Sequence, residues 1–403
     1  MSAGKPIQHY DIPERQGCEA VFDSSYLIDI PHYLDQWQSK RVVLVVSKSL
    51  ESNTNYIKDL EAKLGDKVVG KQSGVGSHSP YKDVISIAHL LQSKDADCLI
   101  CIGSSSYSDA SKIATKLHAT LPPNFTAEDM ESLINQKRGA GILKPAKAKL
   151  ILLPTSLSAA EWNGTGSCTN DSGKKQHFGL GNHLNGAADL LLWDPELAST
   201  APEKLWLSSG VRCIDHCVET MTHASCTPEA SRDAEAGLAD MIRGLGEYRE
   251  GKGKDRKEVL RGISESQKGS RQAIKGLIVH RSPFGPSHAI GHQLGSVAGV
   301  MHGVTSCVML GPVLRFSKPK TQQAQKKILK IFNETLGWRE TEAADAFIKF
   351  VQALGLPTTL HDVGVTDDET IRKIAEKTMT DVWGGQGCQL SVEEVMEILN
   401  MAR

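Results

Sequence analysis

The chain has 403 residues, 40% hydrophobic and 23% charged, with 46 basic and 47 acidic side chains and a formal net charge of −1. That length exceeds what one ordinary core organises, so two domains are expected, with the composition of a soluble globular protein. Near-neutral charge without a long run of either sign excludes a dedicated nucleic-acid or membrane-surface role, and no stretch approaches the roughly 18 apolar residues of a membrane span.

The N-terminus carries no apolar signal core. The nine cysteines follow no disulfide spacing, and Cys98-x-x-Cys101 sits in an apolar run without a second pair, which reads as core. A reducing, cytoplasmic address is expected.

In chain order, residues 1–40 are mixed, with a short strand pair around Glu19–Phe22 and then a helix. The β-branched run Arg41–Val46 predicts a strand buried on both faces of a parallel sheet. A helix over Asn55–Leu64, a strand at Lys67–Val69, a helix over Tyr81–Gln92 and a strand over Asp97–Ile102 follow. The small-residue stretch Gly103-Ser104-Ser105-Ser106-Tyr107-Ser108-Asp109 then runs into a helix over Ala110–His118, with Ser106 or Asp109 as N-cap. A fourth strand, Ala148–Leu153, ends at Pro154-Thr155-Ser156. Alternating strand and helix predicts a parallel sheet with crossover helices up to about residue 195. From Pro202 onward the periodicity is helical: Val211–Ala224, Pro228–Tyr248, Lys257–Val279, Thr321–Leu336, Glu342–Leu354, Asp368–Thr378 and Val392–Met401. The expected division is an α/β nucleotide-binding domain over 1–199 and an all-helical domain over 200–403, with a cleft between them.

Two features carry chemistry. A strand, a small-residue turn and a helix at 98–118 form the arrangement that cradles a pyrophosphate, because backbone N–H groups and the positive helix end meet the anion where side chains are small. In open α/β sheets ligands bind at the carboxyl ends of the strands, which places Pro154-Thr155-Ser156 near the same ligand. The alternative for both is ordinary cap and turn chemistry. The second feature is the histidine cluster. His288 and His292, four apart, share a helix face; His302 follows a run of small residues that lets the chain turn back; and His216 lies one turn beyond Arg212 on another helix. Arg212 and His216 among small apolar residues need a satisfied partner or a cleft, unless Arg212 forms a surface pair with Asp215. His78 and Trp162 are expected to line the cleft, and His223 and His280 to be structural.

These residues carry a family resemblance over essentially the whole chain. Gly103-Ser104-Ser105-Ser106-Tyr107-Ser108-Asp109-Ala110-Ser111-Lys112 resembles the Gly-Gly-Gly-Ser-x-x-Asp-x-x-Lys nucleotide loop of the iron-containing (group III) alcohol dehydrogenase superfamily. Pro154-Thr155-Ser156 resembles its strand-end Pro-Thr-Thr, and Asp194-Pro195-Glu196-Leu197 its domain-closing segment. The most specific match is His288-x3-His292-x9-His302-Gly303 preceded by Phe284-Gly285. Leu157-Ser158-Ala159-Ala160-Glu161 is similar to the loop of the maleylacetate-reductase-like branch.

The resemblance implies a dehydroquinate-synthase-like, iron-alcohol-dehydrogenase architecture and a homodimer. It implies NAD(H) or NADP(H) as cofactor, with Ser47, Gly103, Ser104, Ser105, Ser106, Asp109, Thr155 and Ser156 at the nucleotide. It also implies a divalent metal on one Asp and three His, which map onto His216, His288 and His302, with His292 as an additional active-site histidine. The metal-binding Asp maps onto Arg212. A guanidinium has no lone pair to give, so no metal is expected, unless Asp215 substitutes as a ligand. Arg212 would instead hold a carboxylate or enolate oxygen of an anionic small-molecule substrate. Catalytic roles are expected for Arg212, His216, His288, His292 and His302.

Ser104 and Ser105 replace glycines, which strains the loop if either position requires positive φ. Ser47, with Lys48 beside it, stands where relatives often carry an acid, so NADPH is tolerated. The expected function is an NAD(P)H-dependent reductase of maleylacetate-reductase type acting on a small unsaturated oxo-acid or ketone. The alternative is a non-redox isomerase, cyclase or dehydratase using the histidines as acid and base.

Overall fold

The computed structural model describes residues 4–135, 143–179, 187–381 and 390–403. The chain divides into two compact units, Met1–Ala201 and Pro202–Arg403.

The first unit is built from β1 (Ile7–Gln8), β2 (Glu19–Phe22), α1 (Tyr26–Gln36), β3 (Val42–Val46), α2 (Lys48–Asn53), α3 (Tyr56–Leu64), β4 (Val68–Ser73), α4 (Tyr81–Ser93), β5 (Cys98–Gly103), α5 (Ser105–Thr120), α6 (Ala127–Asn135), β6 (Lys149–Pro154), β7 (Thr165–Thr169), β8 (Lys175–Gly179), β9 (Leu190–Trp193) and α7 (Pro195–Ala198). Seven strands form one sheet in the order β1-β2-β9-β6-β5-β3-β4, parallel throughout except for the β1–β2 pair. β3 and β5 are buried on both faces, which is why they read as unbroken apolar runs rather than alternating ones. Cys98 and Cys101 lie in that buried strand.

Three differences from the sequence pattern have physical causes. α5 starts at Ser105, five residues before the expected Ala110, with Ser104 as the extended residue ahead of it. Ser106 and Asp109 are therefore inside the helix and are not caps. A hairpin, β7–β8, interrupts the strand–helix alternation, with Cys168 and Phe178 turned inward across the Asn170–Gly173 turn. β9 completes the sheet between β2 and β6.

The second unit comprises α8 (Glu203–Thr222), α9 (Pro228–Gly251), α10 (Arg256–Ala273), α11 (Lys275–Ile278), α12 (Pro286–Ala298), α13 (His302–Leu336), α14 (Ala343–Ala353), α15 (Asp368–Thr378) and α16 (Val392–Met401). The helix expected over Lys257–Val279 is two helices separated at Ile274. α13 extends nineteen residues upstream of the expected Thr321, through Pro312 and Pro319; Thr321 itself has non-helical angles (φ −123, ψ 19), so the sequence signal marks a kink inside one helix rather than its start. α8 is buried along nearly its whole length, from Trp206 to Met221. Any polar side chain on it must find a partner inside the unit.

α9 and α10 approach so closely that a Cβ at Gly262 would lie 2.4 Å from Tyr248 N and 2.6 Å from Gly244 O. Both obstacles are backbone and cannot rotate away. Gly262→Ala is expected to destabilise this unit by about 1–3 kcal/mol, readable as a lower thermal midpoint.

Candidate active site

The carboxyl ends of β3, β5 and β6 are neighbours, since Val46 pairs with Ile102 and Gly103 with Pro154. Ser47 N–H donates to Ile102 O (2.8 Å) and Thr155 N–H to Gly103 O (3.0 Å). Ser47, Gly103 to Ser106, Thr155 and Ser156 therefore share one edge of the sheet. Ser104 has φ −80 and Ser105 opens the helix, so neither serine occupies positive φ and the anticipated strain is absent. The first-turn N–H groups of α5 face out of the helix end, as geometry requires.

Asp109 and Lys112 face the other way. Lys112 is fully buried and donates to Ala160 O (2.8 Å), Thr165 O (2.7 Å) and Asn163 O (3.3 Å), while pairing with Asp109 Oδ1 at 2.9 Å. Asp109 Oδ2 accepts from Ser167 N–H at 3.1 Å. The pair thus clamps α5 to the 160–167 segment. Trp162, expected at a cleft, is instead core: it is fully buried and stacked on Trp193 at 5.6 Å, because four aromatic neighbours enclose it. His78 is exposed.

Glu161, beside Trp162, is a fully buried carboxyl that the resemblance placed in a loop without assigning it a role. Ser108 Oγ donates to Oε1 (3.1 Å), while Oε2 has no partner. Burial raises its pKa from 4.5 to about 7, against the pull of Lys112 and Ser108. A raised folded pKa stabilises below the unfolded value, and that advantage is lost as pH climbs through the folded one. The gap corresponds to about 3 kcal/mol. Glu161→Gln is therefore expected to gain about 3 kcal/mol on the wild type between pH 4.5 and pH 8, measured by urea unfolding at the two pH values.

In the second unit, α8, α12 and α13 bring Arg212, His216, His288, His292 and His302 together. α12 ends at Gly299 in the left-handed region (φ 70), and α13 starts at His302. His216, Phe284 and His288 form a three-ring stack, with His216–Phe284 at 4.7 Å, Phe284–His288 at 4.1 Å and His216–His288 at 5.0 Å. His292 stacks on His302 at 5.5 Å. Arg212 is buried, and its Nη1 donates to Ser306 Oγ (3.1 Å) and Thr305 Oγ1 (3.4 Å), while Nη2 lies 3.5 Å from His292 Nε2.

Asp215 is not Arg212's partner in a surface pair. It is buried, and its Oδ2 accepts from Ser306 Oγ (2.6 Å) and Ser287 Oγ (2.8 Å), so Ser306 bridges the guanidinium and the carboxyl. His223 bonds Ser225 and His280 bonds Asp233 at 2.8 Å, away from this cluster.

Two carboxyls that the sequence pattern did not single out complete the site. Glu219, one turn beyond Asp215 on α8, accepts from Gly285 N–H (2.8 Å), Ser287 N–H (2.6 Å) and contacts His288 Nδ1 at 2.6 Å. Asp381, after α15, meets His292 Nδ1 at 3.1 Å and accepts from Gln293 Nε2 at 2.9 Å. Burial and the Arg212 charge push His216 and His288 well down, so both rings are neutral near pH 7. Burial lifts Asp215 to about 6 and, together with the Asp215 charge, lifts Glu219 too. Burial pulls Arg212 below its ordinary value against those carboxyls.

The residues present do not fit a resident dication. A buried guanidinium occupies the wall of the histidine cluster, with no lone pair to offer and a charge that repels a cation. Asp215, Glu219 and His288 do place ligand-type atoms within 4.8 Å of one another. Yet Glu219 Oε2 and His288 Nδ1 are 2.6 Å apart, bonded to each other. Zinc-type bonds of about 2.0–2.2 Å at tetrahedral angles set ligand atoms roughly 3.4 Å apart, so this pair would have to break its hydrogen bond and part to hold an ion.

A mostly parallel α/β unit and a helical unit with clustered imidazoles define a dehydrogenase architecture, and the chain belongs to the iron-containing alcohol dehydrogenase family. Residues 19–195 match the iron-containing alcohol dehydrogenase domain, and residues 207–403 match the C-terminal domain of the Fe-containing alcohol dehydrogenase family. It is thereby an oxidoreductase. A dehydrogenase of Alternaria alternata is 32% identical over 91% of this chain and 99% of its own length. A dehydrogenase of Gibberella moniliformis is 28% identical over 99% and 96%. The crystal structure of maleylacetate reductase from Agrobacterium tumefaciens shares the fold, with TM-score 0.74 and 18% identity, covering 100% of this chain and 98% of that one. Among the described residues no helix is long and apolar enough to cross a membrane.

Proposed function

We propose that the protein is an NAD(P)H-dependent reductase of a small, anionic, unsaturated oxo-acid or ketone, working without a metal. The observation that carries this reading is the buried Arg212 beside neutral imidazoles: it places a donor of fixed positive charge at the cluster, offset by Asp215 and Glu219, with no lone pair to bind a cation. A bound nicotinamide would supply the hydride. Ser47, the backbone from Gly103 to Ser106, Thr155 and Ser156 would hold that cofactor. Asp109 serves by fixing α5 through Lys112 and Ser167.

At the reacting end, Thr305 and Ser306 hold one nitrogen of Arg212, which leaves the rest of the guanidinium to face a carboxylate or the oxygen that becomes negative. His292, held by Asp381 and beside Arg212, moves the proton that this oxygen requires. His216, His288 and His302 line the same cluster and orient the substrate.

The test is oxidation of NADH or NADPH by purified protein with maleylacetate and related keto-acids, before and after dialysis against a chelator. Turnover unchanged by chelation is the expected result. No turnover with either nucleotide, and no nucleotide binding by fluorescence titration, would favour the acid–base isomerase or dehydratase alternative. Stoichiometric zinc or iron required for activity would end the metal-free reading.

A further inference from the structure

Glu219 has the geometry of a part with a single job. Backbone N–H groups can only donate, so the contacts from Gly285 and Ser287 turn both carboxyl oxygens toward the first turn of α12. Pro286 at the start of that helix lacks an N–H, so these two bonds fasten the helix end to α8. Gly285 lets the carboxyl come close: a Cβ there would stand 3.0 Å from Glu219 Oε1. With its orientation fixed by the backbone, Glu219 presents Oε2 to His288 Nδ1 at 2.6 Å. The other ring nitrogen, His288 Nε2, is buried and has no hydrogen-bond partner. Phe284 and His216, stacked on the ring, hold its plane.

We infer that Glu219 is a positioning residue that holds the proton of His288 on Nδ1, locks the neutral ring in that tautomer and leaves the Nε2 lone pair as an acceptor inside the site. An unfilled acceptor at the centre of the cluster suits a ligand O–H, such as that of the product alcohol. The reduced oxygen then takes its proton elsewhere, from His292. The tautomer rests on an ionised Glu219, which the Gly285 and Ser287 N–H groups and the Arg212 charge favour and which burial and the Asp215 charge oppose; its catalytic consequence rests on the proposed reductase function. Ionised Glu219 accepts all three contacts, whereas a protonated Glu219 would put its proton on Oε2 and reverse the ring to Nε2–H.

Histidine-selective 15N labelling of the intact protein distinguishes the two states by long-range proton–nitrogen couplings, with His288 assigned through its absence in His288→Asn. The expected wild-type pattern is a protonated Nδ1 and a bare Nε2, requiring neither cofactor nor substrate. Glu219→Gln, whose amide nitrogen must face either Gly285 N–H or Ser287 N–H and so cannot keep all three contacts, is expected to lose the uniform Nδ1–H pattern and to lower kcat roughly 10–100-fold. Glu219→Asp is expected to keep the wild-type pattern. A wild-type ring protonated at Nε2, or a pattern indifferent to Glu219→Gln, overturns the inference. Should Glu219→Gln fail to fold, the wild-type and Glu219→Asp spectra still decide it. A correct tautomer in a protein that reduces no keto-acid sinks only the reductase reading.

Discussion

If the protein is the metal-free reductase proposed above, replacing Arg212 with aspartate is expected to abolish keto-acid reduction and to confer a divalent-metal affinity that the wild type does not show. In the wild type one guanidinium faces Asp215 and Glu219, and its charge offsets theirs. Arg212→Asp removes that charge and adds a third buried carboxyl near His216, whose Nδ1 has no partner, and near His288, whose Nε2 has none either. Without metal the variant holds three carboxyls and no cation, so it should be less stable than the wild type above neutral pH. Zinc should then raise its thermal midpoint, because a ligand at about 100 times its Kd adds about 2.7 kcal/mol. The wild type is expected to show no such shift. Arg212→Gln separates the two effects: it should lose about 10²–10³ in kcat/KM, as expected for removing a charged donor from a developing oxyanion, and gain no metal. Equal zinc-induced stabilisation of wild type and Arg212→Asp would refute the assignment of Arg212, whatever the activities.

The histidine cluster was legible because local periodicity carries it. His288 and His292 follow the helix repeat, and the small residues before His302 announced a turn that Gly299 makes. Their carboxyl partners were not legible: Glu219 lies 69 residues from His288 and Asp381 lies 89 residues from His292. Nothing in helical spacing links such pairs, and an acid on a helix reads as solvated until that helix proves to be buried. α8 offered a clue in the small and apolar residues that surround its three charged positions between Trp206 and Met221. In the first unit the strands read well, being apolar on both faces. The β7–β8 hairpin was missed although alternating residues flank an Asn-Asp-Ser-Gly turn, a pattern that marks hairpins. The direction of Lys112 was not readable at all, since the same helical position can serve a ligand outside or carbonyls inside. Positive φ at Ser104 and Ser105 was likewise a backbone question that residue identity could only pose.

Lys112→Met is expected to cost the first unit about 3–5 kcal/mol, the range for breaking a buried ion pair by removing one partner. Methionine matches the length of the stem but leaves Ala160, Asn163 and Thr165 carbonyls and the Asp109 carboxylate without their donor. Those carbonyls belong to the segment that begins at Ala159, itself in the left-handed region (φ 61), a conformation that persists only where the surroundings enforce it. Releasing Lys112 removes that enforcement from Glu161, Trp162 and the start of β7 together. Because the second unit has its own core of Ile290, Leu294, Val308, Ile371 and Ile398, the loss should appear as a new early transition rather than as a uniform shift. Limited proteolysis should cut within 160–179 in the variant and spare the wild type. Asp109→Asn in the Lys112→Met background removes the orphaned charge and should recover part of the loss, which a double-mutant cycle would read as coupling between the two sites. A single transition at the wild-type midpoint for Lys112→Met would show that Lys112 is not the clamp.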